Sequence, residues 1–306
     1  MTAGMVYLWH HAIVLALAVG TGAAMLRARW IHRCPHVAVA LWQGVALGAV
    51  AATLGLLLSV GLMPYQRGLV PALGLFAADL ADGVRGPPDV LRAGGVAAGL
   101  LLAAWIVAVQ ISSSWQVRRQ RARHQMLLRL VGRTDPDCRR PVVLDHPVAT
   151  AYYLPGREGC VVVSSGALEA LTPGQLAAVL AHEDTHARQR HHLALAPFQA
   201  LRAALPVPAV RRVVASIELL VEMCADDHAA RRHGAPALVD ALRRFHAHGV
   251  RPPPGALAIA AGSATDLRIQ RLERALPPPH PVLRAALVCG ALVVAATPLS
   301  LFVLPA

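Results

Sequence analysis

Two histidines and a glutamate stand in the order His182-Glu183-Asp184-Thr185-His186, the pattern H-E-x-x-H. On a helix, positions i and i+4 share a face one turn apart, so both imidazoles can offer lone pairs to adjacent corners of a tetrahedral Zn2+. Glu183 projects beside them without being a ligand, where it can take a proton from the attacking water. Five residues alone also arise by chance, so the reading depends on a helix at this place and on a third ligand. Thr172-Pro173-Gly174-Gln175 argues for the helix. It supplies an N-cap threonine, a proline at the first helical position and a glutamine placed to close a capping box. Residues 176–181 then run apolar into the motif.

Glu222 is the best candidate for the third ligand. The stretch 217–233 reads as a helix, with Ser216 as a possible cap and Gly234 followed by Pro236 as its stop. Glu222 and Asp226 are spaced i, i+4 on one face. The first can ligate, and the second can accept the remaining N–H of a ligating histidine and fix its tautomer. Leu219, Leu220, Val221 and Met223 surround Glu222, which fits a solvated acidic face poorly. Two competitors stay open. Glu218 lies one turn earlier, and Cys224 is a soft ligand, though turned about 200° away from Glu222.

The motif followed by Glu222-Met223-Cys224-Ala225-Asp226 resembles the gluzincin metallopeptidases. The whole-chain layout is similar to the BlaR/MecR-type integral membrane peptidases, metallopeptidase family 56, with the HtpX and CAAX-protease group more distant. Matching stretches include Cys160–Ser164, His182–His192, Glu222–Gly234 and Arg268-Ile269-Gln270-Arg271-Leu272. The resemblance implies one Zn2+ per chain on His182, His186 and Glu222, with Glu183 as general base. It also favours Cys160, Val161, Val162, Val163 and Ser164 as an edge strand on which a peptide substrate adds. One departure is His191-His192, where relatives often carry an aspartate. The implied activity is endoproteolysis of a cytoplasmic protein such as a transcriptional repressor. Quality control of membrane proteins, as in the HtpX group, is the second enzymatic reading. A non-catalytic zinc-binding signalling scaffold is a different class, and an intact Glu183 counts against it. The external penicillin-binding sensor of BlaR/MecR receptors is not expected after the last apolar stretch, which runs to Ala306.

Composition sets the surroundings. Of 306 residues, 56% are hydrophobic, and four stretches approach or exceed the ~20 residues that span a bilayer as a helix. The expected fold is therefore a mainly α membrane protein: four transmembrane helices with an inserted α+β gluzincin-type zinc metalloprotease domain. Residues 1–111 hold three spans, about 7–26, 37–63 and 94–111, with an outside loop at 64–91. Residues 112–280 form the protease domain and 281–306 the fourth span. All 29 basic Lys+Arg residues are arginine. Arg27, Arg29 and Arg33 follow the first span, Arg118, Arg119, Arg121 and Arg123 the third, and Arg268, Arg271, Arg274 and Arg284 precede the fourth. The positive-inside rule then places both termini outside and the protease domain in the cytoplasm of a plasma-membrane protein. The arginines beside spans point to the lipid bilayer as partner rather than to nucleic acid, for which no direct binding is expected.

Finer features complete the reading. Five dispersed cysteines argue for free thiols rather than a disulfide framework. Residues 141–144 and 160–164 read as strands, with a turn at Leu154-Pro155-Gly156. The apolar run 193–210 is broken by Pro197, Pro206 and Pro208, and Pro252-Pro253-Pro254 marks a flexible linker. Tyr152, Tyr153, His228 and His233 all remain open as donors to a developing oxyanion.

Overall fold

The computed structural model describes residues 3–83, 87–131, 141–156, 159–247, 257–258, 262–274, 277 and 279–303. The proline linker 252–254 and Cys138 lie outside them. In chain order the elements begin with α1 (Ala3–Met25), α2 (Pro35–Leu62), α3 (Leu69–Ala81) and α4 (Pro87–Val131). Then come β1 (Val142–Leu144), β2 (Ala151–Leu154), β3 (Cys160–Ser164), α5 (Ser165–Ala170) and α6 (Pro173–Arg188). The series closes with α7 (His191–Ala204), α8 (Pro208–His233), α9 (Ala235–Ala247), β4 (Leu257–Ala258), α10 (Gly262–Arg274) and α11 (Pro281–Val303). The chain divides into two compact units, Met1–Val109 with Pro279–Ala306, and Gln110–Pro278.

The first unit is helical. Its α1, α2 and α11, with α4, are four helices long and apolar enough to cross a membrane. Central α2 packs against α1 and α11. Small residues permit the approach to α11. A Cβ on Gly44 would lie 2.5 Å from the Ala291 carbonyl oxygen, and one on Gly48 2.6 Å from that of Val294. This four-residue spacing of glycines lets two helix backbones meet closely. Leu17, Leu101 and Leu292 stay exposed on the outer faces, as lipid-facing side chains would. The apolar stretch beginning at Gly68 forms α3, too short to span.

The second unit is built on a four-stranded sheet of order β1-β3-β2-β4. Side chains alternate across it with period two. Val142, Tyr152, Leu154, Cys160 and Val162 cluster with Leu128 of α4 on one side. Ala151 and Val163 turn to the other, against Ala178 and Val179 of α6 and the core formed with α9. Burial on both faces explains why these strands read as short continuous apolar runs.

Strand β3 is interior. It pairs in parallel with β1 (Val142↔Val162) and antiparallel with β2 (Tyr152↔Val162). The expected peptide-accepting edge at Cys160, Val161, Val162, Val163 and Ser164 is therefore corrected, because its backbone groups already serve two neighbours. The sheet edges are β1 and β4 among the described residues.

Helix α6 begins as its sequence dictates. The Thr172 side chain accepts from the Gln175 N–H, and the Gln175 side chain accepts from the Thr172 N–H, closing the capping box behind Pro173. Helix α8 starts earlier than expected, at Pro208, which suits the first helical position. Ser216 is thus inside it, not at its cap. Its end is as read: Gly234 takes φ +86° and its N–H bonds the Ala230 carbonyl.

Candidate metal centre

Helices α6 and α8 pack together, and α6 turns His182, Glu183 and His186 inward so that all three are fully buried. Opposite them α8 presents Glu222. The ligand atoms of His182, His186 and Glu222 all lie within 4.8 Å of one another. His182 Nε2 and His186 Nε2 are 3.1 Å apart. Each is 3.4 Å from a different Glu222 oxygen, Oε2 and Oε1 respectively. The competitors do not join them. Glu218 pairs with Arg202 of α7 at 3.2 Å on an exposed face. Cys224 is buried, and burial pushes its thiol well above the ordinary range, leaving little thiolate to ligate.

The surrounding bonds fix which nitrogen of each ring carries hydrogen. Asp226 Oδ1 lies 3.1 Å from His182 Nδ1, a charge contact short of hydrogen-bond geometry, and a carboxylate there favours hydrogen on Nδ1. His191 Nε2 is 2.9 Å from the Gln189 side-chain oxygen, also only an acceptor. Its Nδ1 then accepts from His186 Nδ1, 2.8 Å away. Each ligand candidate then turns its Nε2 toward the other and toward Glu222. Two buried ring nitrogens crowded against a carboxylate call for positive charge between them, from a metal ion or from a proton. A two-histidine, one-carboxylate set is suited to zinc, so the residues fit the metal.

The electrostatics of the metal-free site show that demand for positive charge. Burial opposes charge on His182, yet Asp226 and Glu222 outweigh it and raise its pKa to about 9. His186 is driven well below its usual value, chiefly by burial, and stays neutral. Burial pushes Glu183 up to about 8, with the Glu222 charge adding to it and His182 and the Tyr153 N–H opposing. That N–H, from β2, donates to Glu183 Oε2 at 2.7 Å. The other oxygen, Oε1, is buried without a hydrogen-bond partner among the described residues, leaving it available for a proton.

Arg268 of α10 was read from the sequence as one of the arginines preceding the last span and as the start of a stretch shared with the resembled family, without a role at the centre. It is instead 2% exposed. Its Nε and Nη2 donate to the two Asp226 oxygens at 2.8 and 2.6 Å, and its Nη1 lies 3.1 Å from Glu222 Oε2. The guanidinium fork thus holds both acids of α8 at once. Burial opposes the charge on Asp226, but Arg268 and His182 overcome it and depress its carboxyl well below the usual range. Three residues on, Arg271 pairs with Asp227 at 2.7 Å, so the R-x-x-R spacing docks α10 on α8. The His191 relay, too, was visible only as a departure from the expected aspartate. Among the open oxyanion donors, the Tyr152 hydroxyl is committed to His124 Nε2 at 2.7 Å.

Residues 115–225 match the family described as Peptidase family M48. The match covers about a third of the chain and takes in His182, Glu183, His186 and Glu222. It supports a metallopeptidase and does not single out the BlaR/MecR type. No curated protein and no solved structure matches the chain.

Proposed function

We propose that this chain is a membrane-embedded, zinc-dependent endopeptidase acting through His182, His186 and Glu222 as ligands and Glu183 as general base. The carrying observation is the pair of buried Nε2 atoms, 3.1 Å apart and facing Glu222, beside the unpartnered Glu183 Oε1. Bound zinc would polarise the scissile carbonyl and acidify the attacking water. Glu183 takes the water's proton on Oε1 and delivers it to the leaving amine, while the Tyr153 N–H holds Oε2 in place. Its raised pKa suits both halves of that exchange near neutral pH. Asp226 orients His182, and His191 orients His186. Arg268 keeps the Glu222 and Asp226 carboxylates from repelling each other.

Four long apolar helices support insertion in a membrane. The arginine asymmetry supports a cytoplasmic protease domain, and it survives the loss of Arg268 from the count because Arg118, Arg119 and Arg123 remain exposed. A cytoplasmic polypeptide is then the substrate. Cleavage of a transcriptional repressor rests on the BlaR/MecR resemblance alone, and trapping partners on Glu183→Gln protein would identify the substrate. The function itself is tested by stripping the purified protein with a chelator. Cleavage of unstructured polypeptide should vanish and return with about one equivalent of zinc per chain. Full cleavage after stripping, or none by the zinc-loaded wild type, overturns the reading, the second in favour of the scaffold.

A further inference from the structure

Within the second unit, a cavity of about 450 Å3 is bounded by α4, the end of β2 and α7. Its described lining contains Arg118, Arg121, Gln125, His192 and Gln199 and no carboxylate. Arg121 is half-buried. The His192 ring is held below its ordinary pKa by burial and by the charges of Arg121 and Arg190. Its Nδ1 is buried with no hydrogen-bond partner among the described residues. Concentrated positive charge and an unused ring nitrogen in a concave wall suit a carboxylate.

Two short stretches of chain link the cavity lining to groups that support the metal centre. His192 follows His191, which bonds His186. Pro155 and Gly156 line the cavity just after Tyr153, whose N–H holds Glu183. The Arg121 charge also reaches Tyr153. The arginines of α4 divide by face. Arg118, itself exposed, half-buried Arg121 and Gln125 follow i, i+3, i+7 spacing and line the cavity, whereas Arg119 and Arg123 lie outside that lining and Arg119 sits over the Trp115 ring at 3.5 Å. The second face is the one suited to lipid.

We propose that this cavity is a specificity subsite for an acidic side chain, aspartate or glutamate, carried by the polypeptide substrate near its scissile bond. The proposal rests on the peptidase reading and names the class of chain it cuts. Its test moves a single glutamate, against glutamine, through an otherwise neutral quenched-fluorescent peptide. At one position glutamate should raise kcat/KM by about tenfold or more, as charge-assisted bonds do. The Arg118→Gln/Arg121→Gln double variant should bring that ratio close to one, mainly through KM. Arg119→Gln/Arg123→Gln should preserve it. No glutamate preference at any position, or a preference that survives the first double variant, overturns the proposal. Anisotropy with the same peptides on Glu183→Gln protein reads binding without cleavage. If wild type cuts no peptide, the peptidase reading fails, and this arm still decides whether the cavity takes a carboxylate. If the double variant loses only binding to phosphatidylglycerol nanodiscs, with peptide binding intact, the cavity belongs to a lipid headgroup and the proposal is wrong.

Discussion

Replacing Arg268 by methionine removes a charge while keeping much of the side-chain volume. Two carboxylates then lose their shared partner: Asp226, fully buried, and Glu222, whose side chain is 16% exposed. Removing one partner of a buried ion pair typically costs about 3–5 kcal/mol, because the remaining charge is left uncompensated. We expect a loss of about 4 kcal/mol in metal-free protein on that basis. For a domain of this size that corresponds to a drop in Tm of roughly 8–16 °C. Zinc would supply positive charge beside Glu222, so the loss should shrink when the metal is added. Arg243→Met is the control: its pair with Glu273 is exposed on both sides, where a bridge contributes about 0–1 kcal/mol. The assay is thermal unfolding of the full-length protein in neutral detergent, with chelator and then with zinc. A drop under about 3 °C in chelator, no larger than that of Arg243→Met, would refute the argument that Arg268 neutralises the centre.

Metal analysis of purified variants should find zinc lost from His182→Ala, His186→Ala and Glu222→Ala and retained in Glu218→Ala; the reverse result for the two glutamates would move the third ligand. The metal-free protein should melt lower as pH rises from about 7 to about 9, above the range in which His186 and His192, whose pKa values are lowered, act in the opposite sense. Glu183 (4.5 raised to about 8) and His182 (6.5 raised to about 9) both bind protons more tightly folded than unfolded, so stability is fullest below the unfolded values and falls through the folded ones. A flat or rising Tm over that interval would contradict the assigned burial of these groups.

Local chemistry was legible in the sequence and long-range order was not. The capping box at Thr172 and Gln175 and the stop at Gly234 are written in a few adjacent residues, and both form. The third apolar stretch ended at 111 by hydropathy, yet α4 continues to Val131, because hydropathy measures affinity for lipid and not helix continuity. Pro208 was read as a break when it opens α8, although proline at a first helical position is a usable signal. The misplacement of β3 has a different cause. Strands buried on both faces carry no alternation to tell an edge from a centre, and β2, the neighbour that covers β3, was read for its tyrosines and for the turn that follows Leu154 but not as a strand. Arg268 bonds an acid 42 residues upstream, a separation at which spacing says nothing. His191 could have been found, since it lies five residues beyond His186 where an orienting group is expected.

The central claim is that Glu183 moves the proton and does not hold the metal. Glu183→Gln keeps the side-chain shape and can still accept the Tyr153 N–H bond, but cannot take the water's proton. General-base assistance contributes about 10²–10⁴-fold, so cleavage of a quenched peptide should fall to background while zinc remains near one per chain. Substantial cleavage by zinc-loaded Glu183→Gln protein would contradict the account.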